Sequence, residues 1–134
     1  MKTHWFKPVA AGFALLLAAL LSGCGRRGEL SGTVTYEGNP VRFGTVVVLG
    51  GDGLAKYGNL DPEGRYHVQD LGTGECRIGV ASPDPSQMTD LPADIKQQAI
   101  KVWFQVPTKY MHPKELGLTY SLRSGLNEYD IELK

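Results

Sequence analysis

Eleven consecutive residues decide the fold class of this chain: Leu30-Ser31-Gly32-Thr33-Val34-Thr35-Tyr36-Glu37-Gly38-Asn39-Pro40. In the first seven, the apolar or small residues at positions 30, 32, 34 and 36 alternate with serine and threonine, which is the period of a half-buried β-strand. The last four predict a turn, because Gly38 and Asn39 can adopt the positive φ angles that tight turns need. The stretch therefore predicts a strand followed by a turn.

Further strand-like runs follow, separated by glycine, proline and aspartate. They cover residues 44–49, 54–60, 65–71, 76–81, 118–123 and 127–133. About seven short strands joined by tight turns, with no alternation of strand and helix, predict an all-β fold. We expect a seven-stranded Greek-key β-sandwich of the broad immunoglobulin-like kind.

Residues 82–117 do not follow this pattern and form an insertion before the last two predicted strands. Apolar side chains recur within it at helical spacing, at Leu91, Ile95, Ala99 and Val102. Asp90 is a candidate helix cap, with Pro92 in the first turn. Pro107 and Pro113 exclude a helix throughout, because proline lacks the backbone donor. We expect a short amphipathic helix within an otherwise irregular segment.

Residues 1–23 have the three parts of a bacterial export signal. Lys2 and Lys7 supply positive charge, and residues 9–21 form an apolar run that is too short to span about 30 Å of hydrocarbon. The following Leu21-Ser22-Gly23-Cys24 resembles the lipobox of bacterial lipoproteins. Small residues admit the peptidase, and only a thiol can form the diacylglyceryl thioether. We expect cleavage before Cys24 and acylation of its sulfur; a retained anchor and a plain secretory signal are the alternatives.

This interpretation divides the chain into a lipoprotein signal peptide (1–23), a lipidated tether (24–29) and a β-sandwich domain (30–134) that contains the insertion. Two or three acyl chains suffice for stable attachment, whereas one is marginal. The expected location is the cell envelope, with the domain lipid-anchored to a membrane, either the outer membrane or a periplasm-facing surface. Gly25 is not the aspartate associated with inner-membrane retention in some bacteria.

Charge and cysteine content exclude some classes of function. The 134 residues carry 14 basic and 14 acidic side chains, and removal of Lys2 and Lys7 with the leader leaves two more acidic than basic residues. Such a surface has no electrostatic attraction for nucleic acid. If Cys24 is acylated, Cys76 has no partner, and we expect it to be a small buried thiol. No pair of cysteines has metal-ligand spacing, and no cofactor is expected.

Several phrases together resemble a known family. They are the run 32–41, the phrase Asp61-Pro62-Glu63-Gly64-Arg65-Tyr66, and residues 106–110, 117–119 and 125–133. In this order they are similar to carboxypeptidase regulatory-like domains, and to the small lipoproteins of this type that are abundant in planctomycetes. The chain departs from the pattern at Leu116, where the family often has serine. The resemblance implies a transthyretin-like (prealbumin-like) sandwich without catalytic activity.

The residues themselves give little support for catalysis or metal binding. His67 and His112 are the histidines outside the leader, and Ser82 or Ser121 would be the nucleophile of a hydrolase. No G-x-S-x-G motif supports that assignment. Asp61-Pro62-Glu63-Gly64 lacks the ligand spacing of an EF-hand loop and predicts a hairpin turn in which Asp61 binds the backbone ahead. Calcium held by loops that are distant in sequence stays open. We expect neither a catalytic residue nor a metal site.

Aromatic residues of the insertion are the candidate partner-binding residues: Trp103, Phe104 and Tyr110. Adjacent side chains on an insertion cannot easily both point inward, and exposed aromatic residues mark partner sites. We therefore expect a membrane-anchored envelope lipoprotein whose non-catalytic sandwich binds or scaffolds an envelope protein or glycan. The alternatives are an accessory or regulatory domain of a separate envelope hydrolase, and a carbohydrate-binding module.

Overall fold

The domain is built around strand β1 (Arg27–Tyr36). The computed structural model describes residues 26–115 and 117–134, and the predicted signal peptide and Cys24 lie outside the described residues. Within these ranges the chain forms nine strands, one α-helix (α1, Ala93–Val102) and two 3-10 turns (Pro85–Gln87 and Thr108–Met111). The strands after β1 are β2 (Asn39–Pro40), β3 (Thr45–Leu49), β4 (Ala55–Asn59), β5 (Arg65–Gly72), β6 (Gly74–Ala81), β7 (Thr119–Leu122), β8 (Gly125–Glu128) and β9 (Ile131–Leu133).

The strands form two sheets with a shared core between them. In the first sheet, β1 pairs antiparallel with β2 and β5, and parallel with β8 and β9. In the second, the order is β4-β3-β6-β7 and every pair is antiparallel. The chain passes from one sheet to the other after β2, β4, β5 and β7. The predicted all-β sandwich is therefore confirmed.

Each of the seven predicted strands is present, and the last of them, 127–133, lies across two strands. The division between β8 and β9 has a physical cause at Gly32, where a Cβ would lie 2.1 Å from the carbonyl oxygen of Tyr129. The backbone of Tyr129 therefore crosses β1 at a distance that only glycine permits. Beside it, Asp130 Oδ1 accepts hydrogen bonds from the Thr33 backbone N–H (3.0 Å) and hydroxyl (3.1 Å). A carboxylate thus interrupts the backbone ladder at this point.

The two ends of β1 differ from the sequence predictions. The strand begins at Arg27, so residues 27–29 belong to the sandwich and not to the tether. Gly28 pairs with Leu71 on one edge and with Gly125 on the other, and these ladders order a segment whose composition is polar. At the far end, Glu37 (φ 51°) and Gly38 (φ 83°) take the positive φ angles, as in a type I′ turn. The predicted turn residue Asn39 pairs with Tyr36 instead.

The core consists of inward-facing side chains from alternate strand positions. Leu30 and Val34 of β1 are fully buried, and so are Val46 and Val48 of β3. Cys76 is a free, buried thiol, as predicted. Burial raises its pKa. The domain therefore holds together through apolar contact between the sheets.

The insertion contains the predicted helix, but the helix does not bury the predicted face. Ala99 is the buried residue of α1, whereas Ile95 and Val102 are exposed. The helix begins after Pro92, whose ring disfavours a helical conformation at the residue before it. The prediction that Asp90 caps the helix is wrong, because the N-cap residue is Pro92 and no side chain forms a capping hydrogen bond. No helix in the described part of the chain is long and apolar enough to cross a membrane.

Candidate functional site

Trp103 joins the end of α1 to the end of β6. Its indole Nε1 donates to both the carbonyl oxygen and the hydroxyl of Ser82, each at 3.1 Å. The Ser82 hydroxyl in turn donates to the Phe43 carbonyl at 2.6 Å. The indole ring is half-buried, because its N–H group and part of its apolar surface contact other residues of the domain. Trp103 therefore fixes the position of the insertion and offers only one side to a partner.

Phe104 and Tyr110 form an aromatic cluster with Tyr36, the last residue of β1. The rings of Tyr36 and Phe104 are stacked with their centroids 6.2 Å apart. Tyr110 meets Tyr36 edge-on at 6.5 Å. Tyr110 is itself a core residue, and its hydroxyl is hydrogen-bonded to the backbone of Lys134. The Tyr110 ring is buried, so a partner cannot contact it. Tyr110 is therefore not retained as a candidate binding residue.

A groove runs along the outer side of this cluster and has a volume of about 480 Å³. We call it the distal groove; its lining residues are Tyr36, Gln105, Pro107, Thr108 and Lys109. Partial burial, followed by the nearby Glu37 carboxylate, raises the pKa of Tyr36. Lys109 lies with its ammonium 5.0 Å from the centroid of the Tyr110 ring, in cation–π contact. The groove thus combines aromatic, proline and cationic surface.

Tyr36 was not among the binding candidates from the sequence. Its place in the alternating run of β1 predicts an inward side chain, and the ring does pack partly on the core. The feature of the sequence that could have identified Tyr36 is its position as the last residue before a turn. A side chain at the end of a strand lies at the edge of the core and is partly exposed. Phe104 was found from the sequence, and the structure places it beside Tyr36.

The distal groove lies at the end of β1 that is opposite Arg27. Ten strand residues separate the two ends, a distance of about 30 Å. The end at Arg27, which we call the tether end, is rich in charge. Arg27 forms ion pairs with Asp52 (2.5 Å) and Asp70 (3.0 Å), and Asp70 also pairs with Lys56 (3.5 Å). The hydrogen bond from Arg27, followed by that from the Leu54 backbone N–H, lowers the pKa of Asp52.

A shallow depression of about 330 Å³ lies at the tether end. Its walls are mostly backbone and charged or amide side chains, from Arg27, Gly28, Glu29, Gln69, Asp70, Gly125 and Leu126. Its two acidic lining residues already have partners: Asp70 pairs with Arg27 and Lys56, and Glu29 lies beside His67. The depression therefore has few free polar groups with which to recognise a small ligand.

The histidines lie apart from the serines that the sequence offered as nucleophiles. His67 is exposed on β5, where its Nε2 lies 3.0 Å from Glu29 Oε2. The residue opposite His67 is Ser31, whose hydroxyl points to the Asn127 carbonyl at 3.5 Å. Ser82 is bound to Phe43 and Trp103, and Ser121 pairs with Glu75 in the second sheet. In residues 26–115 and 117–134, neither histidine forms a hydrogen bond with a serine.

The acidic phrase at residues 61–64 forms the predicted turn. Asp61 Oδ1 accepts hydrogen bonds from the backbone N–H groups of Glu63 (3.0 Å) and Arg65 (2.8 Å). These bonds lower the pKa of Asp61, with that from Arg65 as the largest cause. Among the described residues, no group of three or more histidine, cysteine, aspartate or glutamate side chains is arranged to hold a metal ion.

Comparison with known proteins gives a limited result. No protein-family model matches the chain, so the resemblance to carboxypeptidase regulatory-like domains stays a prediction. No curated protein matches it. A similar solved structure is that of a DUF3823 family protein from Parabacteroides merdae, with a TM-score of 0.48 and 15% sequence identity. The match covers 82% of this chain and 47% of that one, so this chain spans less than half the length of its structural neighbour.

Proposed function

We propose that this chain is a cell-envelope lipoprotein, acylated at Cys24, whose β-sandwich binds a partner and carries out no chemistry of its own. The export signal and the lipobox-like run Leu21-Ser22-Gly23-Cys24 support the anchor. The phrases that resemble carboxypeptidase regulatory-like domains support a non-catalytic sandwich of the transthyretin-like type. The domain faces away from the lipid, in a compartment where an envelope protein or glycan is within reach.

The observation that carries the binding function is the distal groove. Its lining residue Tyr36 stacks on Phe104, and the exposed Lys109 lies at its rim. Tyrosine, phenylalanine and proline give contact area at low entropic cost, and Lys109 adds a charge at the rim. Because β1 is about 30 Å long, the groove is also remote from the point where the lipid would be attached.

An envelope protein is the partner that this surface suits best. The rings of Tyr36 and Phe104 stack on each other, and Tyr110 lies edge-on to Tyr36, so these contacts take up part of the aromatic surface. A sugar ring requires a broad, free aromatic face. The accessory role beside an envelope hydrolase is one form of this function, since the hydrolase would then be the protein that occupies the groove.

The anchor is tested by replacing Cys24 with serine in the full chain expressed in a bacterial host. Serine cannot form the thioether, so the variant should leave the membrane fraction and appear in the soluble envelope fraction. Metabolic labelling with a fatty-acid analogue should mark the wild type and not C24S. A C24S protein that still sediments with membranes would show that acylation is not the anchor, while the sandwich would be unaffected.

The groove is tested by photo-crosslinking in intact cells. A photoreactive amino acid at Thr108, which is exposed and lines the groove, should give a discrete adduct with an envelope protein. The matched control is Tyr57, which is 68% exposed on β4 in the second sheet. Adducts of equal yield at both positions, or none at Thr108, would contradict a binding site in the distal groove. A shift that a glycan hydrolase removes would reassign the domain as a carbohydrate-binding module.

A further inference from the structure

Two exposed leucines lie at the tether end of the sandwich. Leu126 is 85% exposed and Leu54 is 53% exposed. Leu126 belongs to β8 and pairs with Glu29, two residues from the start of β1. The backbone N–H of Leu54 donates to Asp52, which forms an ion pair with Arg27. Both leucines therefore lie on segments that are attached to the first residues of β1.

The position of Leu126 is fixed by hydrogen bonds and not by burial of its own side chain. The neighbouring Asn127 is buried, and its amide nitrogen donates to the carbonyl oxygens of Glu29 (3.1 Å) and Arg123 (2.8 Å). Its amide oxygen accepts from the Arg123 backbone N–H at 3.0 Å. The turn that carries Leu126 is thus attached to β1 while its leucine faces solvent. An apolar side chain held outward in this way costs hydration free energy unless something covers it.

Charged side chains of both signs lie at the tether end. Leu126 lines the shallow depression there together with Arg27, Glu29 and Asp70. Arg26 and Arg123 are both exposed. Neither forms an ion pair with another residue of the described ranges, whereas Arg27 and Lys56 are paired with aspartates. A guanidinium beside an exposed leucine matches the interface of a phospholipid bilayer, where the leucine enters the acyl boundary and the arginine meets phosphate.

We propose that the tether end docks on the surface of a phospholipid bilayer, with Leu126 and Leu54 inserted at the level of the headgroups. This proposal rests on the acylation of Cys24 proposed above. Two residues lie between Cys24 and Arg27, so the three Cα-to-Cα steps reach no more than about 11 Å, and the lipid holds this end of the sandwich against the membrane. Docking gives the domain one orientation, with the distal groove facing away from the bilayer.

The test measures the depth of single side chains in the membrane. Acylated protein carrying L126C, L54C or I95C is labelled with an environment-sensitive fluorophore and reconstituted into vesicles of phosphatidylethanolamine and phosphatidylglycerol, with and without brominated acyl chains. Cys76 is buried and does not compete for the label. Ile95 is the matched control, because it is 48% exposed and belongs to the insertion. Each leucine is exposed, so its replacement leaves the core intact.

Docking predicts that brominated lipid quenches the label at positions 126 and 54 several-fold more strongly than the label at position 95. Equal quenching at all three positions in protein that floats with the vesicles would overturn docking and leave the acyl anchor standing. Protein that does not float with the vesicles would overturn acylation of Cys24, and docking with it. The two proposals therefore fail in different ways.

Discussion

Strand β1 and helix α1 each contain ten residues, and both carry apolar side chains at the spacing that their secondary structure requires. They differ in what covers those side chains. β1 has strands on both edges and the second sheet against its inner face, so Leu30 and Val34 are completely buried. α1 buries Ala99 but leaves Ile95 exposed.

The difference shows what periodicity can and cannot establish. A pattern of apolar residues selects the secondary structure, because it places them on one face. It does not guarantee that another element is present to cover that face. In β1 the partners come from residues 65–72 and 125–133, and the fold brings them together. In the described part of the chain, α1 contacts the short 3-10 turn Pro85–Gln87, and Trp103 at its end is hydrogen-bonded to Ser82, but no sheet covers its apolar face.

The largest expected effect is a loss of stability when an apolar side chain of β1 is truncated. The same truncation in α1 is compared with it through the free energy of unfolding. Leu30→Ala removes a fully buried side chain and should destabilise the domain by about 3 kcal/mol. Ile95→Ala, in α1, should cost less than about 1 kcal/mol because the side chain is half exposed. Urea unfolding of both variants, followed by fluorescence of Trp103, measures the difference.

Hydrogen exchange gives an independent measurement of the same contrast. Backbone amides of β1 should exchange only through global unfolding, and those of α1 through local opening. The contrast between the two elements does not hold if Ile95→Ala destabilises the domain as much as Leu30→Ala, or if the amides of α1 exchange as slowly as those of β1. Either result would mean that α1 packs closely on the rest of the domain.

A smaller effect is expected from Asn127, which attaches the β7–β8 turn to β1. Asn127→Ala leaves the buried carbonyl of Glu29 and the N–H of Arg123 without partners, and should destabilise the domain by about 2 kcal/mol. Asn39→Ala is the matched control, because Asn39 is exposed in β2. Urea midpoints of the two variants give the result. Equal, small changes would mean that β8 is held by its backbone ladder alone.

The smallest expected effect concerns the ion pair of Arg27 at the start of β1. The pKa of Asp52 is lower in the folded domain than in the unfolded chain, so this carboxylate stabilises the fold above its unfolded pKa of about 3.9. That stabilisation is lost as the pH falls through the folded pKa. Asp52→Asn should therefore have a lower urea midpoint than the wild type at pH 7, and the gap should narrow as the pH falls below the unfolded pKa of Asp52. A gap that is independent of pH would exclude a charge effect of Asp52.

Most of the strands could be predicted because their signals are local. The alternation in residues 30–36 and the turn at Asp61 depend only on neighbours in sequence, and both appear as expected. The division of the last strand could not be predicted, since it depends on contact between Gly32 and Tyr129, which are far apart in the chain. It could not be predicted either that residues 27–29 belong to β1, because this depends on their pairing with β5 and β8, which are distant in sequence.

The candidate site was only partly accessible to sequence reasoning. Two adjacent aromatic residues on an insertion predicted a partner site there, and Phe104 stacks on Tyr36, which lines the groove. The sequence could not show that Ser82 would bind the indole of Trp103, or that Tyr110 would lie in the core with its hydroxyl on Lys134. Both contacts join elements separated by more than twenty residues. Tyr36 entered the site because the same long-range packing placed Phe104 against it.

The parallel pairing of β1 with β8 and β9 has a consequence for how the chain folds during its synthesis. Val34 pairs with Ile131, so the first sheet closes through contacts between the earliest and the latest parts of the domain. Such long-range pairing is slow to form. During synthesis, the edge of β1 that β8 and β9 cover stays open until residue 133 is available. The first strand of the domain to be synthesised is therefore the last to acquire its full set of partners.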